Sequence, residues 1–99
     1  MSKVKFWEVK KESKVYNFLG KIVAKKEIRE YVLKENYFQL KIKTEENEIV
    51  EVSVFQRKVS NEIWNEIVKN EYVDKRYLFS CKKLRNVLHL TDWKKINAN

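Results

Sequence analysis

Between Tyr37 and Thr44 the sequence YFQLKIKT alternates apolar and polar residues, and IVEVSVF repeats the alternation a few residues later. Successive side chains of a β-strand point to opposite faces, so this period of two predicts two half-buried strands in a row. In the first, Phe38, Leu40 and Ile42 share one face while Tyr37, Gln39, Lys41 and Lys43 share the other. In the second, Val50, Val52 and Val54 face one way and Glu51, Ser53 and Phe55 the other. The polar residues between them, Glu45, Glu46, Asn47 and Glu48, read as a hairpin turn, with Asn47 best suited to a left-handed backbone. The two runs are expected to pair antiparallel.

The rest of the chain supplies partners for this hairpin. Upstream, VYNFLGKIVAKK from Val15 to Lys26 is rich in aromatic and β-branched residues, as a strand requires, and Gly20 within it marks a bulge or sharp bend. Downstream the period changes. In SNEIWNEIVKN, Ser60 is placed to cap a helix whose Ile63, Trp64, Ile67 and Val68 form one stripe. Two further strand-like runs, RYLFSCKKL from Arg76 and NVLHLTDW from Asn86, are separated by a polar bend at Arg85 and Asn86 and read as a second hairpin. The 99 residues contain no proline, one glycine and no repeat, which predicts a single domain over residues 15–96. Residues 1–14 are expected to form a basic arm or an edge strand, and residues 97–99 a tail.

Apolar residues make up 43% of the chain and aromatics 13%, enough for a core, while the net charge of +8 gives a positive field that attracts polyanions. Cys81 is the only cysteine, so an intramolecular disulfide framework is excluded, and the residue reads as a small buried hydrophobe. No apolar stretch is long enough for a membrane span, and MSKVKFWEVKKE lacks the apolar core of a secretory signal. A soluble, cytoplasmic protein with no membrane partner is expected.

A long bent strand, a pair of hairpin strands, a helix and a final hairpin follow one another in the order of an OB-fold. The expected fold is therefore mainly β, a small five-stranded OB-like barrel with one short helix between the third and fourth strands. FLGKIVAKKEIREY followed by YFQLKIKTEENEIVEVSVF resembles the opening of replication-protein-A-type and related single-stranded-DNA-binding OB domains. The resemblance lies in strand order and residue classes and spans about residues 15–96. Two features depart from it: the turn TEENE has no glycine, and residues 1–14 have no counterpart.

The resemblance implies a nucleic-acid groove across the second and third strands, flanked by the loop after the first strand and by the last hairpin turn. Such a groove holds the backbone with cations and stacks bases on aromatic faces. Alternation offers it Tyr37, Lys41 and Lys43 from the second strand and Phe55 from the third, with Lys21 and Lys25 from the first. The first loop adds Arg29, Tyr31 and Lys34, and the last hairpin adds Lys82, Lys83 and Arg85. The acidic turn around Glu45, Glu46, Glu48 and Glu51 repels a phosphate backbone.

Trp64 belongs to the helix stripe and is read as core, whereas Trp7 and Trp93 sit among lysines, where stacking on a ligand and burial against a barrel end both fit. Catalytic chemistry finds no foothold. His89 is the lone histidine, lies in an apolar run without metal-ligand spacing, and is read as structural. Neither convergent carboxylates nor a glycine-rich phosphate loop can be found. No enzyme activity, cofactor or metal is expected. The partner is expected to be single-stranded DNA, in replication, recombination or DNA transfer; RNA fits the same groove. The alternative is an OB-type protein interaction module or accessory subunit, with protein partners or a homo-oligomer.

Overall fold

A computed structural model describes residues 14–30 and 34–96. Five strands, β1 (Val15–Glu30), β2 (Glu35–Thr44), β3 (Ile49–Phe55), β4 (Arg76–Leu84) and β5 (Val87–Ile96), close into a barrel in the order β1-β2-β3-β5-β4. A 3-10 turn, Gln56–Lys58, and the helix α1 (Asn61–Val68) connect β3 to β4. The mainly β, OB-like barrel with one short helix between β3 and β4 is thus the observed fold. The expected arm or edge strand before residue 14 and the tail after residue 96 lie outside the described residues, as do Trp7 and Tyr31.

β1 closes the barrel because it serves two neighbours. Its first half pairs antiparallel with β4, from Val15↔Lys82 to Gly20↔Tyr77, and its second half with β2, from Gly20↔Thr44 to Glu30↔Glu35. Gly20 is the shared position. The register irregularity falls further on, between Ile22 and Ala24, so the glycine is needed for a different reason. A Cβ there would lie 2.6 Å from the carbonyl oxygen of Lys43 and 2.9 Å from Ile42 Cγ2, and β2 approaches β1 this closely only over a bare backbone.

β2 and β3 pair from Tyr37↔Phe55 to Lys43↔Ile49, and β3 meets β5 in parallel at Val52↔Leu88 and Ser53↔His89. The β2–β3 turn is held by the Asn47 and Glu48 amides, which donate to the Thr44 carbonyl at 3.0 Å and to Thr44 Oγ1 at 3.2 Å. Asn47 takes the left-handed conformation at φ 65, so the turn dispenses with glycine. Arg85 and Asn86, at φ 52 and 65, form the two-residue loop between Leu84 and Val87, as the right-handed twist of a hairpin favours.

Alternation fills the interior with Phe38, Leu40 and Ile42 of β2, Val52 and Val54 of β3, Tyr77, Phe79 and Cys81 of β4, and Leu90 of β5. Ser60 Oγ caps α1 by accepting from the Ile63 amide at 3.2 Å, and the helix seals one end of the barrel with Ile63 and Ile67. Trp64 is half-buried against Phe38, their ring centroids 4.9 Å apart, while Val68 remains 46% exposed at the helix end. Trp93 packs on Tyr77 at 4.2 Å, which assigns it to the barrel wall. No helix among the described residues is long and apolar enough to cross a membrane.

Candidate nucleic-acid interface

Residues directly opposite each other in neighbouring strands share a face, so register alone maps the outside of the barrel. One row runs from Ile28 of β1 through Tyr37 of β2 to Phe55 of β3; the next runs from Lys26 through Gln39 and Ser53 to His89 of β5 and Lys82 of β4. A third joins Ala24, Lys41 and Glu51, and Lys21 stands opposite Lys43 beyond it.

Where the first two rows meet, aromatic rings cross three strands. The Phe55 centroid lies 4.6 Å from that of Tyr37 and 5.2 Å from that of His89, the latter pair inclined by only 20°. β3 then leads directly into the 3-10 turn, and the two cations it carries fold back over the middle ring: the Arg57 guanidinium carbon and Lys58 Nζ are each 5.3 Å from the Phe55 centroid. Arg57 is also held by Glu35 at 3.2 Å. Lys21, Lys26, Lys41, Lys43, Lys58 and Lys82 form no ion pair with any described carboxylate. Lys21 and Lys43 stand directly opposite each other, a like-charge pairing that disfavours the sheet locally, and share a cleft with Glu45 and Asp74.

The barrel therefore gathers Tyr37, Phe55, Lys82, Lys41, Lys43 and Lys21 on one outer face, and it turns other predicted residues elsewhere. Lys25 lies opposite Leu40, on the inner side of the sheet; its Nζ donates to the carbonyl of Ile67 at 3.0 Å, at the end of α1, and lies 5.0 Å from the Phe38 centroid. There it is a second donor to a helix-end carbonyl that also accepts from the Asn70 amide at 3.2 Å. Arg29 lies opposite Asn36, out of phase with Tyr37. Lys34 lines a cleft of about 720 Å³ beside Lys25, Phe38 and Trp64, which shares Arg57 with the ring face. Lys83 is opposite Leu88, out of phase with Lys82, and Arg85 sits in the hairpin loop. In the acidic turn, Glu45 is paired with Arg76 at 2.6 Å.

Lys26, Arg57, Lys58 and His89 belong to this face and are absent from the residues drawn from the sequence. For His89 the signal was present: Leu88 and Leu90 flank it, and alternation turns a residue between two inward leucines to the outside. Its Nδ1 is buried with no hydrogen-bond partner among the described residues. Burial, followed by the nearby charges of Lys58 and Arg57, lowers its pKa from the ordinary histidine value.

Elsewhere, buried polar groups serve the core. The Tyr77 hydroxyl donates to Glu66 Oε2 at 2.5 Å, tying β4 to α1, and burial together with that carboxylate raises its pKa. Burial pushes the Cys81 thiol up to about 12. Among the described residues no group of three or more His, Cys, Asp or Glu is placed to hold a metal.

The sequence matches no protein-family model and no curated protein.

Proposed function

We propose that this protein binds single-stranded nucleic acid, DNA in the first instance, across the outer face of β2, β3 and β5. The observation that carries the reading is the row of rings Tyr37, Phe55 and His89, crossed by Arg57 and Lys58 and bordered by lysines that pair with no described carboxylate. Aromatic faces accept bases only when these are not enclosed in a duplex, and the surrounding cations attract the backbone irrespective of sequence. The net charge of +8 adds long-range attraction.

Affinity supplied this way falls with salt, with a log–log slope of about −0.7 for each phosphate neutralised on a single strand. Titrating the protein with single-stranded DNA, single-stranded RNA and duplex at two salt concentrations tests the reading. Single strands are expected to bind more tightly than duplex and to lose affinity with salt. Undetectable single-strand binding at low salt, or a preference for duplex, overturns it.

A protein-docking role has one observation in its favour. On the outer face of β1 and β4, Leu19 is 37% exposed opposite the half-buried Leu78, and Val15 is 55% exposed. Val15 stands directly opposite Lys82, so a protein seated along the whole strip would border the cation face.

A further inference from the structure

Beside the ring row, at the seam where β5 lies between β3 and β4, a cleft of about 430 Å³ is lined by Lys58, Lys82, Leu84, His89 and Thr91. No described carboxylate lines it. Lys58 arrives from the turn after β3, Lys82 from β4 directly opposite His89, and the ring of His89 is fixed against Phe55. The Thr91 hydroxyl donates to the Ser80 carbonyl at 3.0 Å, leaving its oxygen lone pairs rather than its proton for any other contact. The charged donors of the cleft are thus the two lysines.

His89 completes the set. Its Nδ1 is enclosed and has no acceptor among the described residues, so a proton placed there would be a buried N–H without a partner. The neutral ring accordingly carries its proton on Nε2, which makes His89 a hydrogen-bond donor through that atom. Two ammonium groups and an imidazole N–H around an apolar-walled cleft, with no anion among the lining groups, suit a small oxyanion.

Building on the single-strand reading above, we propose that this cleft seats a backbone phosphodiester between Lys58 and Lys82, with His89 as its third ligand. A strand stacked along Tyr37 and Phe55 is led across the β3–β5 seam by this contact, because Phe55 adjoins both the rings and Lys58.

The subsite makes binding sensitive to pH. The charges facing His89 in the free protein are Lys58 and Arg57 from the 3-10 turn and Lys82 from β4, all positive. A phosphodiester brings the counter-charge they lack and offsets the cost of the second proton, which must go on the enclosed Nδ1, so the bound state holds that proton more tightly than the free state. By linkage, affinity rises as pH falls through the histidine range, up to about tenfold for each pKa unit gained on binding.

Affinity for an oligothymidylate without terminal phosphates, measured at constant ionic strength between pH 8 and pH 5.5, tests the subsite. Tighter binding at low pH is expected, with the His89 ring protons titrating at higher pH in the complex by NMR. His89→Gln should flatten the pH profile, and Lys82→Gln, at an exposed position, should weaken binding several-fold at every pH while melting like the wild type. Oligonucleotide binding that is independent of pH in the wild type, or equally pH-dependent in His89→Gln, overturns the subsite and leaves the single-strand reading standing. Unchanged affinity in both Lys58→Gln and Lys82→Gln does the same. Absence of oligonucleotide binding at every pH overturns both.

Discussion

The ring of Phe55 touches both Tyr37 and His89, with centroid distances of 4.6 and 5.2 Å, so one residue at the end of β3 sets the spacing of rings from two other strands. Tyr37 ends the row; Phe55 is its centre. Tyr37→Ala should therefore cost about 1 to 3 kcal/mol of single-strand binding, as loss of a stacking platform does, with a small change in melting temperature. Phe55→Ala removes the support of both neighbours and should reduce binding and stability together. Oligonucleotide titration with thermal melts on both variants checks the distinction, and normal binding by a folded Phe55→Ala refutes it.

The stability of the barrel should also depend on His89. An unfolded histidine titrates at about 6.5, and burial, then Lys58 and Arg57, lower that value in the barrel. Between the two values the unfolded chain binds the extra proton and the native protein does not. The stabilising contribution is therefore complete above the unfolded value and is lost as pH falls through it toward the lower folded one. Without ligand, the melting temperature of the wild type should drop more between pH 8 and pH 5.5 than that of His89→Gln. Equal drops would remove the role given to the buried ring.

Gly20→Ala should destabilise the barrel by about 1 to 3 kcal/mol, the range for forcing extra volume into a packed site. The added methyl meets the Lys43 carbonyl oxygen at 2.6 Å, a backbone atom held in the β1–β2 ladder that cannot swing aside. Chemical denaturation of the variant measures the cost. A midpoint like that of the wild type would mean that the strands separate freely there.

Cys81 is fully buried, and its thiol is pushed up to about 12 by burial. Thiolate is the reactive form, so native protein at pH 8 should resist alkylation by iodoacetamide, whereas denatured protein reacts promptly. Mass spectrometry of both samples decides. Rapid native labelling would show that β4 opens readily.

What was readable in the sequence was what repeats at short range. Phe38, Leu40 and Ile42 announce their burial by period two, Ser60 announces the start of α1, and Asn47 takes the left-handed backbone expected of it. The ring row was half legible. Tyr37 and Phe55 lie on strands joined by one hairpin, so alternation places them side by side. His89 reaches them through the parallel β3–β5 contact, whose register no local pattern encodes. Lys25 eluded the reading for a similar reason: alternation along β1 carries no sign of the carbonyl at Ile67 that captures its ammonium. Arg57 and Lys58 follow a strand end, where the period of two stops and a 3-10 turn directs the side chains instead.

The way β1 joins β4, and β3 joins β5, bears on how the molecule comes into being. The β1–β2, β2–β3 and β4–β5 pairings each unite neighbours in sequence, but Val15 must find Lys82 across most of the chain and Val52 must find Leu88 across about a third of it. Closing the barrel has to wait for these distant pairings, and small β-barrels fold in about milliseconds to seconds, slower than helical proteins of similar size. Tyr37 and Phe55 meet within one early hairpin, while His89 arrives only when the two halves dock. A nascent chain thus carries two rings of the row well before it has the third, and the complete face is a late product of folding.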